Sequence, residues 1–240
     1  MFFSYSSVAE LLDHARRGCS TLGVILFSIA SASCTHPSIY ELHDTIASTD
    51  VLTDSSSLAP SHILEIPLTI HYATIDGKPV LNTNSVRESL DRANLALADF
   101  GIFVYVAEQK QLPNGLAQIL DSDDRLMLAD RADSNGSVHV FFVDRVALFS
   151  PRHGDSRVSG MHWRYHGLHH KFRQREYLVV ARDAPNTTLV HEIGHAFGLG
   201  HDRSEQNLMC SCRRGDAPSF TRRQGAKMRN GARRFLQRNY

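Results

Sequence analysis

The spacing of hydrophobic positions along this 240-residue chain changes several times. The first regular stretch, ILEIPLTIHYA from Ile63, alternates Leu64, Ile66, Leu68, Ile70 and Tyr72. A period of two predicts a strand. Pro67 weakens its first half, because proline cannot donate to a ladder. Asp76-Gly77 then marks a turn. Over SVRESLDRANLALADFG the period lengthens, and Val86, Leu90, Ala93 and Leu97 share one helical face. Ser85 and Glu88 have the spacing of a capping box, and Gly101 is placed to stop the helix. Residues 102–108 read as a strand, and a short helix is expected around 125–131. Residues 137–144 form a near-continuous apolar run, which predicts a central strand. Residues 157–164, interrupted by Gly160, and residues 176–181 supply two more strands. A helix is expected from Pro185-Asn186 with Asn186 as its N-cap. A last helix follows Ser219 as a candidate N-cap, turning Phe220, Met228, Ala232, Phe235 and Leu236 inward, although Gly225 and Gly231 count against it. Strands interleaved with helices predict a mixed α/β sheet with helices packed on one face.

The first sixty residues look different. Arg16 and Arg17 precede an apolar run at residues 22–32, too short for a comfortable membrane span and typical of an export signal. Small residues end the run. They fit either plain cleavage and secretion or lipid attachment at Cys34, which would anchor the protein to the cell envelope. Residues 35–61 are polar and aperiodic, as a flexible tether would be. The expected organisation is therefore an export signal over 1–34, a tether over 35–61 and one domain over 62–240.

Lys+Arg (26) nearly balance Asp+Glu (25), so nothing points to a nucleic-acid partner. The balance hides a local bias, since residues 213–240 carry nine basic residues and one acid, Asp216. That basic end reads as a solvated face or as a contact for anionic lipid or envelope polymer. A monomer is the expected state. Beyond Cys19 and Cys34 the cysteines are Cys210 and Cys212. Pairing across one residue, free thiols and a bond to another chain all remain open.

The candidate chemistry lies in HEIGHAFGLGHD, residues 191–202. His191 and His195, four apart, fall on one helical face one turn apart and can ligate one metal. Leu189, Ile193 and Ala196 fall on a different face, free to pack on a sheet. Gly198 can take the left-handed conformation that ends a helix and turns the chain, bringing His201 back toward the same ion. Three imidazoles and an open position make a catalytic zinc geometry. Glu192, beside the first histidine but offset around the helix, is placed to act as a base without being a ligand. Merely holding zinc would not require it. A non-catalytic zinc-holding surface protein and a zinc amidase acting on a non-peptide amide are the rival readings.

The spacing HExxHxxGxxH, at His191, Glu192, His195, Gly198 and His201, resembles the long zinc motif of the metzincin metallopeptidases. Met209, in NLM eight residues after His201, matches their Met-containing turn. The element order from Ile63 to Met209 resembles their N-terminal subdomain. The resemblance implies a metzincin-like zincin fold. That fold has a mixed, twisted five-stranded sheet, an active-site helix, an N-terminal subdomain over 62–201 and a small C-terminal subdomain over 202–240 that ends in a helix. It implies Zn2+ on His191, His195 and His201, and Met209 as a structural floor beneath them. It further implies a zinc endopeptidase acting on peptide or protein substrates, in which Glu192 activates a zinc-bound water. Matrixin-, snapalysin- and pappalysin-like features are mixed. Asp202 after the third ligand occurs in snapalysins and adamalysins, and the resemblance implies that it supports the turn by hydrogen bonding. Ser211 stands where several families carry a tyrosine, so no tyrosine role is assigned. No Pro-Arg-Cys-Gly latency motif is present.

By the same resemblance, residues 157–164 form the edge strand above the cleft, to which an extended substrate adds. Trp163 is then either a cleft residue or a packed one. Arg213 and Arg214 follow the Met turn, where the specificity-pocket wall would stand, and suggest either an acidic preference on the primed side of the scissile bond or a solvated surface. His153, His162, His166, His169 and His170 cluster before the last strand without tight ligand spacing. A solvated loop near the cleft is the first reading of them, and a second metal site the other.

Overall fold

The first predicted strand forms as β1 (Leu64–Tyr72), buried from Ile66 to His71. Pro67 is accommodated because β1 pairs there only with β4 (Ile102–Gln111), opposite Tyr105. The ladder to β6 (Val138–Val143) begins one residue later, at Leu68. The computed structural model describes residues 62–150, 154–166, 170–212 and 214–239. The expected export signal at 1–34, with Cys34, and the tether at 35–61 lie outside those residues.

Tyr72 ends β1, and β2 (Thr74–Ile75) and β3 (Lys78–Pro79) make a two-stranded hairpin over the Asp76-Gly77 turn. The chain then enters α1 (Thr83–Leu97). Its N-cap is Asn82, whose side chain accepts from the Ser85 N–H, so the expected Ser85–Glu88 box gives way to a start three residues earlier. Gly101, at φ 60°, stops the helix through a short 3-10 turn as predicted. After β5 (Gln118–Ile119), α2 (Ser122–Arg131) is capped by Asp121, which accepts from Asp123 and Asp124 N–H groups.

The expected strand at 157–164 is in fact two strands in two sheets. β7 (Arg145–Ser150), which the hydrophobic pattern did not predict, pairs antiparallel with β8 (Gly154–Val158) in a small sheet completed by β5. The chain bends at Ser159, and β9 (Gly160–Arg164) joins β10 (Glu176–Ala181) in the main sheet. The main sheet has the order β4-β1-β6-β10-β9, parallel except for the antiparallel edge strand β9. β6 is its middle strand and is buried throughout, as its apolar run predicts.

Two apolar clusters cover the two faces of this sheet. On one, Leu90, Ala93 and Leu97 of α1 meet Leu189, Val190 and Ile193 of α3 (Thr188–Ala196) and Met228 and Ala232 of α4 (Arg222–Asn239). On the other, Leu128 and Ala129 of α2 and Val146 of β7 pack on Phe141, Tyr177 and Val179. Helices therefore lie on both faces, not one. Thr187, not Asn186, precedes α3, and it makes no side-chain cap bond. Thr221, not Ser219, caps α4, its Oγ1 accepting from Gln224 N–H while Gln224 Oε1 accepts from Thr221 N–H. Gly225 and Gly231 do not weaken α4 as its sequence suggested. They let it approach closely, because a Cβ would stand 2.0 Å from the Phe100 ring at Gly225 and 2.3 Å from the Phe197 carbonyl oxygen at Gly231.

Candidate metal centre

α3 is buried from Thr188 to Gly194, wedged between the sheet and the chain that follows it. His191 and His195 leave it on one face, with ring centroids 4.7 Å apart. Gly198 has φ 95°, the left-handed conformation its place in the motif requires. Leu199 N–H then closes on Gly194 O at 2.9 Å, and the chain returns with His201 beside the first two rings.

The three ring nitrogens meet. His195 Nε2 lies 3.1 Å from His191 Nε2 and 3.2 Å from His201 Nε2. Tetrahedral zinc with Zn–N bonds of about 2.0–2.1 Å would place ligand nitrogens about 3.3 Å apart. The other nitrogens are already committed. His191 Nδ1–H donates to Leu208 O at 2.7 Å, and His195 Nδ1–H donates to Leu199 O at 2.9 Å. Those bonds fix the tautomers that leave Nε2 lone pairs facing the common point. Burial holds His191 well below the ordinary imidazole range, at about 4, and lowers His195 as well. Both shifts favour the neutral form that binds metal. The chemistry and geometry of the donor set thus fit a zinc ion. Among the described residues this is the one group of three or more side chains that could hold a metal. His153 and His169 lie outside the described residues, and His162 and His166 add no second such group.

Met209 is fully buried beneath α3, where a Cβ on Gly194 would come 2.5 Å from its sulfur. Asn207 shapes this turn by accepting from Met209 N–H at 2.9 Å, and its amide pairs with Gln224 of α4. Asp202 braces the chain after the third histidine, its Oδ1 accepting from Ser204 N–H and its own N–H donating to Met209 O, each at 2.9 Å. Cys210 and Cys212, left open by the sequence, are joined in a disulfide that walls the cleft.

Glu192 is 5 % exposed and takes no ligand position. Burial pushes its carboxyl up to about 8, against the opposing Arg214 charge and the His162 backbone N–H. Gly160, the first residue of β9, makes room for it, since a Cβ there would lie 2.8 Å from Glu192 Oε1. A cleft of about 600 Å³ runs between β9 and the turn, lined among others by Gly160, His162, the three histidines, Glu192, the disulfide and Arg214. Among the described residues β9 has no partner on its outer side in the sheet order, so a strand edge borders the candidate metal position.

His162, one member of the histidine cluster, stands parallel to His195 with centroids 6.3 Å apart, and pairs with Glu176 Oε1 at 2.8 Å. The sequence suggests a solvated loop near the cleft or a second metal site for it, whereas it stands on strand β9. Trp163 points the other way and packs in the opposite cluster under the Arg125 guanidinium, so it is a packed residue and not a cleft one. Arg214 lies in the cleft wall, and Arg213 lies outside the described residues. Gly160 and Glu176 were not singled out as site residues, and nothing local in the sequence marks them.

No family model matches the sequence, and neither does any curated protein. Solved structures do. Mature mirolysin of Tannerella forsythia, in complex with a cleaved peptide, is 12% identical, with 74% of this chain covering 97% of that one at a TM-score of 0.52. Metalloproteinase-II from Bacteroides fragilis is 15% identical at a TM-score of 0.49, with 72% of this chain aligned to 55% of that chain. This chain therefore spans little more than half the length of that protein. Archaemetzincin from Methanopyrus kandleri is 18% identical at a TM-score of 0.46, with 76% and 99% covered. The match to mature mirolysin shows a shared fold, and the mixed five-stranded sheet with its packed helices is the metzincin-like fold the resemblance implied.

Proposed function

We propose that the chain is a zinc-dependent endopeptidase. The observation that carries this reading is the convergence of three committed imidazoles beside a buried carboxylate that is not a ligand, under an open strand edge. Zinc held by His191, His195 and His201 would supply a Lewis acid able to acidify water and polarise a carbonyl. The residues do the rest. Glu192 accepts the proton of the nucleophile and returns it to the leaving amine. Burial raises its carboxyl in the metal-free site, and the charge of a bound zinc would lower it again toward the ionised form that accepts a proton. The free edge of β9 receives an extended peptide by backbone hydrogen bonds, holding the scissile bond over the cleft. Met209 fills the space under α3 and keeps the ligand-bearing turn in register. The complex of mature mirolysin with a cleaved peptide is in keeping with this reading. The apolar run at residues 22–32 supports an exported protein, either secreted or anchored through Cys34.

The test is a diverse peptide library offered to zinc-loaded protein. Cleavage is expected, with His201→Ala losing zinc affinity. A protein that binds zinc yet cleaves no peptide, and in which Glu192→Ala changes nothing, would be a zinc-holding binding protein instead.

A further inference from the structure

The cleft holds a cation that the reaction as described does not use. Arg214 lies in its wall, partly buried, with Nε–H donating to Leu208 O at 3.0 Å and Nη1–H donating to Thr187 Oγ1 at 3.4 Å. Both partners are neutral. No carboxylate among the described residues forms an ion pair with this guanidinium. The other arginine of the cleft, Arg157, is neutralised by Asp183 at 2.9 Å. A partly desolvated charge with no carboxylate in contact is costly unless a ligand supplies one. Beside it, Thr188 lines the same cleft, 2% exposed, with an Oγ1 that has no hydrogen-bond partner. The cleft wall thus offers a guanidinium with no carboxylate in contact and a buried hydroxyl with no hydrogen-bond partner.

The position of Arg214 says which part of a substrate it meets. It is tied to Thr187, whose neighbour Thr188 stands one helical turn before Glu192 and lines the same cleft. Glu192 is the group that must protonate the leaving amine. The residue that contributes that amine, the first after the scissile bond, therefore lies on the Arg214 side. The bonds to Leu208 and Thr187 fix the head of the side chain, so its planar fork is presented ready-made to a carboxylate.

We propose that Arg214 is the specificity-determining residue of the cleft, selecting substrates with a carboxylate just after the scissile bond, supplied by an aspartate or glutamate side chain. This rests on the endopeptidase reading for its reaction, but not for its binding preference. The same carboxylate chemistry could come from a chain terminus, so the peptides must separate the two sources.

Matched peptides carrying Glu, Gln or Lys at that position would be compared with amidated and with free C-termini. Zinc-loaded wild type should cleave the amidated Glu peptide roughly ten- to a hundredfold more efficiently than its Gln twin, the range expected for one charge-assisted pair. The ratio should shrink as salt is raised. It should survive in part in Arg214→Lys, approach one in Arg214→Met, and invert toward the Lys peptide in Arg214→Glu. Binding of the same peptides to zinc-loaded Glu192→Ala, by fluorescence anisotropy, should show the same order without turnover. Selectivity seen only for free C-termini would assign the carboxylate to a chain end and overturn the side-chain proposal. Equal cleavage and binding of Glu and Gln peptides by wild type would also overturn it, while leaving the endopeptidase reading intact. Selective binding with no cleavage would uphold Arg214 and remove the endopeptidase reading.

Discussion

At the scale of single residues, the site depends on positions where a side chain is absent as much as on those where one is present. The convergence of His191, His195 and His201 was legible in the sequence, because helical spacing and one left-handed glycine suffice to bring three nitrogens together. The surroundings of Glu192 were not. Gly160 is thirty-odd positions away and reaches the carboxylate only because β9 is laid against α3 by the sheet. A methyl group there would meet Thr188 Cγ2 at 2.5 Å and Glu192 Oε1 at 2.8 Å, so something must move. Gly160→Ala should therefore lower kcat/KM by roughly ten- to a hundredfold, since displacing a reacting group by about 1 Å has effects of that order. Zinc affinity should be retained, because no ligand is touched. Steady-state kinetics beside a zinc titration on one preparation would check this, and a loss of zinc binding would refute it.

At the scale of elements, the segments with a clean period were the readable ones. β1, β6, β10 and α1 carry their burial in the spacing of apolar residues, and all four stand where that spacing put them. The β7–β8 hairpin was not readable, because its strands are short and only partly apolar and its partner β5 has two residues. The strand expected at 157–164 failed for a related reason. Period alone does not reveal that a chain changes sheets at Ser159. α4 shows propensity and packing in opposition. Replacing a helical glycine by alanine is worth about 1 kcal/mol in favour of the helix, but overpacking a filled contact costs about 1–3 kcal/mol or more. At Gly231 the obstacle is the Phe197 carbonyl oxygen, 2.3 Å from where a Cβ would stand, and backbone does not yield cheaply. Packing should win. Gly231→Ala is expected to lower stability by about 1–3 kcal/mol in urea denaturation, and to weaken zinc binding as well, since Phe197 ends α3 just before the turn to His201. An increase in stability would show that α4 does not pack on α3 as described.

At the scale of the whole molecule, the far face of the sheet contains a buried pair that sets how stability responds to acid. His71 Nε2 and His139 Nδ1 lie 2.8 Å apart, with side chains almost wholly covered, and His71 stacks on Phe141. Burial, reinforced by His139 and the Lys110 and Arg131 charges, lowers His71 to about 3. Burial lowers His139 to about 4 although Asp133 opposes it. Both folded values lie below the ordinary 6.5, so the unfolded chain takes up more protons than the folded one in that window. Stability from this pair is then complete above pH 6.5 and is lost progressively as pH falls toward 4 and 3. In zinc-free protein the urea midpoint should drop across that range, and a His71→Leu/His139→Leu double variant should show a flatter profile. A parallel profile would count against the pair. Zinc should add stability by linkage, about 4 kcal/mol at a thousandfold excess over Kd, and chelation should lower the melting temperature accordingly. The central claim is that three histidines hold the ion and Glu192 uses it. It is tested most directly by turnover of a cleaved library peptide by wild type and Glu192→Ala, with zinc content determined on the same samples. The account predicts one zinc per chain in both and a loss of roughly 10²–10⁴-fold in kcat for the variant. Equal turnover at equal zinc content would contradict it.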